Sequence, residues 1–233
     1  MYDRTADIYD TIYSFKDYKT EVATIHRLTQ QHKRSPGNDL LDVACGTGGH
    51  IAYFKNDYSV EGLDISRPML KLASEKHPDV VFHHGDMVKF KLKKRFDVIT
   101  CLFSAIGHLK AKYKLGLAVR NMALHAKPGG LVIVEPWFTP EKYTVGWLSA
   151  NFVDQPKLKI ARIGISKARG NLSIQNLHHL VGSPDRVEHF VEKLVMGLFT
   201  HEDYLSAFRQ AKLETIYDPE GLLGRGLYIG RVS

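Results

Sequence analysis

Cysteine is nearly absent: the 233 residues contain two, Cys45 and Cys101. That excludes a disulfide framework, and no Cys/His cluster stands at metal-ligand spacing. Each cysteine falls at the end of a strand-like run, where it reads as a small buried residue. Long apolar runs are also missing: none approaches the ~20 residues that cross a bilayer. The amino terminus carries Asp3, Arg4, Asp7 and Asp10, which does not suit a signal peptide. These absences lead us to expect a cytoplasmic protein without a membrane segment. No internal repeat or low-complexity tract appears. Acids are outnumbered, 25 against 32 bases, giving a net charge of +7. The bases are scattered except in the run K-F-K-L-K-K-R at 89–95, which reads as a solvated loop before a strand. Nucleic acid is one partner such a charge permits; a phosphate-bearing small substrate is another.

The informative stretch is L-L-D-V-A-C-G-T-G-G-H at 40–50. An apolar run with an acid, Asp42, breaks into a glycine-rich turn and continues into a helix-compatible segment. Glycines there let a ligand approach the backbone closely. Asp64 follows 18 residues after Gly46, at the end of a second strand-like run. An acid so placed can accept from both hydroxyls of a ribose, although it also suits the start of the helix after Ser66. A dinucleotide loop would carry a third glycine where Ile51 stands. The pattern therefore points to a mononucleoside cofactor.

Along the chain, residues 1–34 read as helical. Strands are expected over 40–43, 58–63, 80–84, 96–103 and 130–135, with helices over 48–54, after Ser66, and over 112–126. The alternation implies a parallel sheet with helices on both faces. Residues 138–198 change character, with short alternating runs at 159–166, 173–181 and 187–195 that suggest an antiparallel layer over the sheet. A helix over 200–211, capped by Thr200, and a hairpin of 213–217 with 227–232 close the chain. The whole is one domain: a lid (1–37), a cofactor core (38–137), an antiparallel layer for acceptor or dimer contacts (138–198) and a closing helix and hairpin (199–233).

Ligands of open parallel sheets lie beyond the carboxyl ends of the strands. The third strand is followed by Gly85-Asp86-Met87 and the fourth by F-S-A-I-G-H, whose His108 is the titratable side chain of that loop. His108 can take a proton from an ammonium or polarise a nucleophile. Glu135 ends the fifth strand and faces the same crevice by the same rule, with Trp137 and Phe138 positioned to stack on a ring. Tyr9 and Tyr13 share a helix face; with Tyr18 they suggest a lid that excludes water. Arg225, between two glycines in the last loop, suits a phosphate or carboxylate. Each of these residues has an alternative use in packing, capping or solvent exposure.

The glycine loop resembles the first motif of the class I S-adenosylmethionine (SAM) methyltransferases. That resemblance implies a seven-stranded, mostly parallel Rossmann-like α/β sheet with helices on both faces, an N-terminal helical lid and an antiparallel β insertion. It implies SAM as cofactor, held by Asp42, Ala44, Cys45, Gly46, Thr47 and Gly48 at the loop. Asp64, Ile65 and Met69, then Gly85, Asp86 and Met87, and finally Phe103, complete the set. Asp86 would accept from the adenine amine. Further signatures are denser: Y-D-T-I-Y, K-D-Y at 16–18, H-G-D-M, F-S-A-I-G-H, K-P-G-G-L-V-I-V-E-P-W-F and G-R-G-L-Y-I-G. With them the chain is similar to the sugar N,N-dimethyltransferases acting on dTDP-3-amino-3,6-dideoxyhexoses. This similarity implies a nucleotide-linked amino-sugar acceptor, double N-methylation and a homodimer. It makes Tyr13, His108 and Glu135 the candidate catalytic residues, Tyr9, Tyr18, Trp137 and Phe138 acceptor contacts, and Arg225 a diphosphate contact. Phe138 stands where several relatives carry tryptophan, and residues 150–195 match loosely. A different small acceptor remains open, as do a nucleic-acid methyltransferase and a non-catalytic SAM-binding protein. An N-P-P-Y signature for a flipped base is lacking after the fourth strand.

Overall fold

The structure, a computed structural model, describes residues 6–233; the first five residues of the expected lead-in helix lie outside the described residues. Two helices, α1 (Ala6–Ile12) and α2 (Tyr18–His32), make up the segment expected to be helical. The break comes because Asp17 caps α2, its carboxylate accepting the Thr20 amide at 3.0 Å. The core then follows as β1 (Asp39–Val43), α3 (Ile51–Phe54), β2 (Ser59–Asp64), α4 (Arg67–Lys76), β3 (Val81–His84), β4 (Phe96–Cys101), α5 (Lys112–His125) and β5 (Ala126–Val134). Ser66 caps α4 as expected. Four long strands intervene: β6 (Leu148–Gln155), β7 (Leu158–Arg169), β8 (Leu172–Gly182) and β9 (Val187–Gly197). The chain closes with α6 (His201–Gln210), β10 (Leu213–Asp218) and β11 (Leu227–Val232). Thr200 and Asp203 form a reciprocal capping box at α6.

The main sheet has seven strands in the order β3-β2-β1-β4-β5-β11-β10, parallel except for β11 against β5 and β10. Its central strands are apolar along their length because both faces are covered. Leu40, Val98, Leu131 and Ile133 pack under α2 and α3, whereas Leu41, Ile99, Val132 and Val134 pack under α5 and α6. Several ends move from expectation for backbone reasons. α3 starts only at Ile51 because Gly48, at φ +80°, cannot be helical. β4 stops at Cys101 because Phe103 and Ser104 take left-handed conformations, at φ 51° and 57°. β5 starts early, with Ala126 pairing Phe96 before a register shift.

The insertion forms a four-stranded antiparallel sheet, β6-β7-β8-β9. β6 was not anticipated. One face of this sheet turns toward the carboxyl edge of the main sheet and the other is open.

Candidate active site

Three left-handed positions, Ala44 (φ 59°), Gly46 (φ 56°) and Gly48 (φ 80°), fold the loop after β1 into a tight cradle. Close packing requires Gly49 too, since a Cβ there would lie 2.6 Å from the Tyr18 ring. Asp64 holds this loop from the next strand: one carboxylate oxygen accepts the Gly46 amide at 2.8 Å and the other accepts the Ser66 amide at 2.8 Å. Asp64 thus serves the helix start, as one reading had it, and also pins the glycine loop. Burial raises its pKa. Asp42 is buried next to it. Oδ1 accepts the Thr100 hydroxyl at 2.8 Å, while Oδ2 is buried with no hydrogen-bond partner among the described residues. Desolvation pushes this carboxyl up to about 6.

These groups open onto a cavity of about 950 Å³ beyond the carboxyl ends of β1, β2, β3 and β4. Asp42, Ala44, Cys45, Gly46 and Thr47 line it, as do Asp64, Ile65 and Met69. Gly85, Asp86, Met87 and Phe103 continue the same wall. Gly48 does not: its carbonyl accepts His77 Nε2 at 3.1 Å, on the far side of the loop. An orphaned carboxylate oxygen facing a cavity is what a ligand ammonium satisfies, so the residues present fit the methionine end of SAM. Asp64 and the 85–87 turn would take the nucleoside end.

The lid is tied to the cofactor loop. Asp10 of α1 accepts the Thr47 hydroxyl at 2.5 Å with one oxygen and the Lys76 ammonium at 2.6 Å with the other. Just beyond, Glu21 accepts the Lys16 ammonium and lies 2.8 Å from His50 Nε2, all three side chains buried. Tyr9, Tyr13 and Tyr18 consequently face the cavity. The Tyr13 ring packs against Tyr9 at 4.7 Å, against Phe103 at 5.2 Å, and under the Arg162 guanidinium at 4.8 Å.

His108 lines the cavity from a single 3₁₀ turn, Ala105–Leu109. Burial, then the nearby Lys110 charge, pushes its imidazole down to about 4. It is therefore neutral throughout the neutral range, suited to accepting a hydrogen bond rather than storing a proton. Trp137 also reaches the cavity, its indole N–H donating to Ser173 at 2.9 Å.

Two expected acceptor contacts are corrected. Glu135 is fully buried and outside the cavity wall. Its carboxylate accepts the Phe103 amide at 2.6 Å and the Arg225 guanidinium at 2.7 Å. It joins the β4 loop to the closing loop. Phe138 turns away as well, packing edge-on against Trp137 at 4.8 Å. Arg225 does line the cavity, but its charge is paired with Glu135 and its side chain is 12% exposed.

The layer over 138–198 was expected as an acceptor or dimer wall, but none of its lining residues was singled out. Ser149, Arg162, Gln175, Leu177, Leu194 and Met196 project into the cavity from the insertion sheet. A signal was present in β7, where alternate residues are apolar at Ile163 and Ile165 and polar at Arg162 and Ser166. The alternation does not sort polar from apolar by face: Ile160 and Ser166 are buried on the face that carries Arg162, while Ile163 and Ile165 are exposed on the other.

A methyltransferase-domain family model matches residues 40–130. The dTDP-3-amino-3,6-dideoxy-alpha-D-glucopyranose N,N-dimethyltransferase of Streptomyces fradiae is 40% identical over 97% of this chain and 89% of its own length. A dTDP-3-amino-3,4,6-trideoxy-alpha-D-glucopyranose N,N-dimethyltransferase of Streptomyces venezuelae is 39% identical over 97% of this chain and 96% of its own. The crystal structure of Streptomyces venezuelae DesVI superposes with a TM-score of 0.93 at 38% identity, over 98% of each chain. SAM-bound CalS10, an amino pentose methyltransferase from Micromonospora echinaspora, gives 0.89 at 33% identity over 97% of each chain. With likeness of this order along nearly its whole length, the chain belongs to the SAM-dependent sugar N,N-dimethyltransferase family.

Proposed function

We propose that this enzyme methylates the amine of a nucleotide-linked amino-deoxysugar twice. The observation that carries the reading is the 40% identity over 97% of the chain to a relative named for that reaction. A cavity with two unlike walls supports it: a nucleoside-fitting wall at the strand ends, and a second wall from the insertion sheet.

When bound, SAM supplies an electrophilic methyl group on a sulfonium. Asp42 and the glycine loop hold its methionine end, and Asp64 its ribose. The lid residues Tyr9, Tyr13 and Tyr18 exclude water, so that the chain's contribution is mainly orientation and desolvation. The attacking amine must be neutral. His108, itself neutral, accepts a hydrogen bond from the amine and aims its lone pair, with the Tyr13 hydroxyl as the second orienting group. Arg162, which lines the cavity over the Tyr13 ring, disfavours a protonated amine. The released proton then passes to solvent rather than resting on His108.

We also infer a homodimer. The open face of the insertion sheet exposes Leu148, Phe152, Ile163, Ile165, Leu180, Val187 and Val191, with Phe152 at 69% and Val187 at 70%. A contiguous apolar face of this kind marks an interface, and a second copy is the commonest partner. Among the described residues no helix is long and apolar enough to cross a membrane. Both cysteines are free, which fits a reducing cytoplasm.

The test is mass spectrometry of products from SAM and a panel of dTDP-linked amino-deoxyhexoses. Singly and then doubly methylated sugar is expected. SAM binding without product on any member of the panel would overturn the acceptor assignment.

A further inference from the structure

Three buried, ionisable side chains beside the cavity carry no role in the proposed methyl transfer: Lys16, Glu21 and His50. They meet at one carboxylate. Glu21, in the first turn of α2, accepts the Lys16 ammonium with Oε1, and its Oε2 lies 2.8 Å from His50 Nε2. The three come from different parts of the site. His50 follows the glycine loop directly and lines the cavity. Lys16 belongs to the turn between α1 and α2, and its amide donates to the Tyr13 carbonyl at 3.0 Å. Its ammonium also lies over the Phe103 ring at 4.3 Å and the Tyr18 ring at 5.0 Å. One carboxylate thus joins the lid turn, the glycine loop and the cavity wall at Phe103.

The cluster is not needed to hold α2. That helix is anchored by Val22, Ile25 and Leu28, all buried in the core. Burial alone would raise the Glu21 pKa, but the hydrogen bonds from His50 and Lys16 outweigh it and hold the carboxyl below its usual range. A buried ionic cluster of this kind adds little stability over apolar residues of similar size. What it fixes is geometry, because a carboxylate shared between two partners leaves neither free to move alone. The other ion pair of the lid, Asp10 with Lys76 at 2.6 Å, is exposed and therefore weak. The position of the lid turn depends chiefly on Glu21.

We propose that Glu21 is a positioning residue for methyl transfer. It lies outside the cavity wall and acts through its two partners. Through Lys16 it sets Tyr13 and Phe103, and through His50 it sets the glycine loop, so that lid and cofactor cradle are aligned as one body. The proposal rests on the amino-sugar reading above only for its assay substrate.

The experiment compares wild type with Glu21→Gln, Lys16→Met and the double variant, each also unfolded in urea. Turnover is measured with SAM and a panel of dTDP-linked amino-deoxyhexoses, and S-adenosylhomocysteine affinity by calorimetry. Lid opening is read by chymotrypsin cleavage after the exposed Phe15. Glu21→Gln is expected to lose stability, because it leaves the Lys16 charge buried without its counter-ion, and the double variant to regain it. Activity should not follow. kcat should fall about 10²-fold in Glu21→Gln and stay down in the double variant, the scale of a displacement of about 1 Å at the reacting atoms. KM for the acceptor and the affinity for S-adenosylhomocysteine should change by less than about fivefold. With S-adenosylhomocysteine bound, cleavage after Phe15 should be at least about tenfold faster in the double variant than in wild type. A kcat that returned with stability would make the cluster merely structural and overturn the proposal. So would a loss confined to S-adenosylhomocysteine affinity, which would make the cluster a cofactor contact. Wild type inactive on the whole panel would overturn the acceptor reading; equal cleavage of wild type and double variant would then overturn this proposal as well, and faster cleavage of the double variant would uphold it.

Discussion

Replacing Asp42 with asparagine isolates the electrostatics of the cofactor site. The carboxyl is buried, and desolvation outweighs the favourable influences of His50 and the Thr100 hydroxyl, raising its pKa from 3.8 to about 6. A folded value above the unfolded one means that the ionised form is the strained one. Its cost, roughly 3 kcal/mol for a shift of about two units, accrues as pH rises from about 4 to about 6 and stays constant above that. An ammonium placed against Oδ2 reverses the balance, because it favours the ionised carboxylate. SAM affinity should then strengthen as pH rises through about 6, being about tenfold weaker at pH 5 than at pH 7. At pH 6 about half a proton should leave with each SAM bound. Calorimetry in two buffers of different ionisation enthalpy reads both quantities. Asp42→Asn should bind more weakly at pH 7 and lose the slope. A flat wild-type profile, or a slope surviving in the variant, would refute the argument; the surviving slope would point to the neighbouring Asp64, whose pKa burial also raises.

Glu135→Ala leaves the Arg225 charge buried without its partner, so urea unfolding should show a loss of about 3–5 kcal/mol, and the Glu135→Ala/Arg225→Ala pair should cost less than the sum of the singles. A raised acceptor KM with unchanged stability would instead restore Glu135 as a ligand contact. His108→Gln should lower kcat by about 10² with KM for SAM unchanged. The wild-type kcat/KM profile should show no limb near the ordinary histidine pKa, since His108 stays neutral down to about 4; a limb near 6.5 that vanishes in the variant would contradict this. Phe152→Asp, on the open face of the insertion sheet, should convert a dimer to monomers in light scattering while the melting profile of the core persists. A wild-type monomer would refute the interface.

The core was legible in the sequence for a physical reason: its signals are local. A strand buried on both faces, a turn that demands left-handed backbone and a capping serine all leave their mark within a few residues. Gly46, Asp64, Ser66 and Thr200 could be placed on that basis. The site's outer half was less legible because its chemistry is set by residues remote in the chain. Glu135 looked like a ligand contact because an acid at a strand end points into the crevice. Nothing near it revealed Arg225, 90 residues away, which with Phe103 consumes both carboxylate oxygens. Arg162 was not singled out because its stack on Tyr13 joins residues remote in the chain, which no local pattern reveals. The helix start at Asp17 was available in the sequence as an N-cap three residues before Thr20.

The division of the cavity between two walls bears on how such an enzyme diversifies. The outer wall, which the proposed function gives to the acceptor, comes from one uninterrupted segment, β6 to β9, entering after β5 and leaving before α6. Exchanging that segment for a relative's would re-specify the acceptor while leaving the strand-end wall intact. Yet the segment is not a free cassette. Arg162 of β7 lies on Tyr13 of the lid, and Tyr13 lies on Phe103 of the cofactor wall. A graft that ignores this stack would bring in a new specificity and lose the closure that makes it productive. Insertion and lid therefore form one heritable unit, divided in sequence and continuous in space.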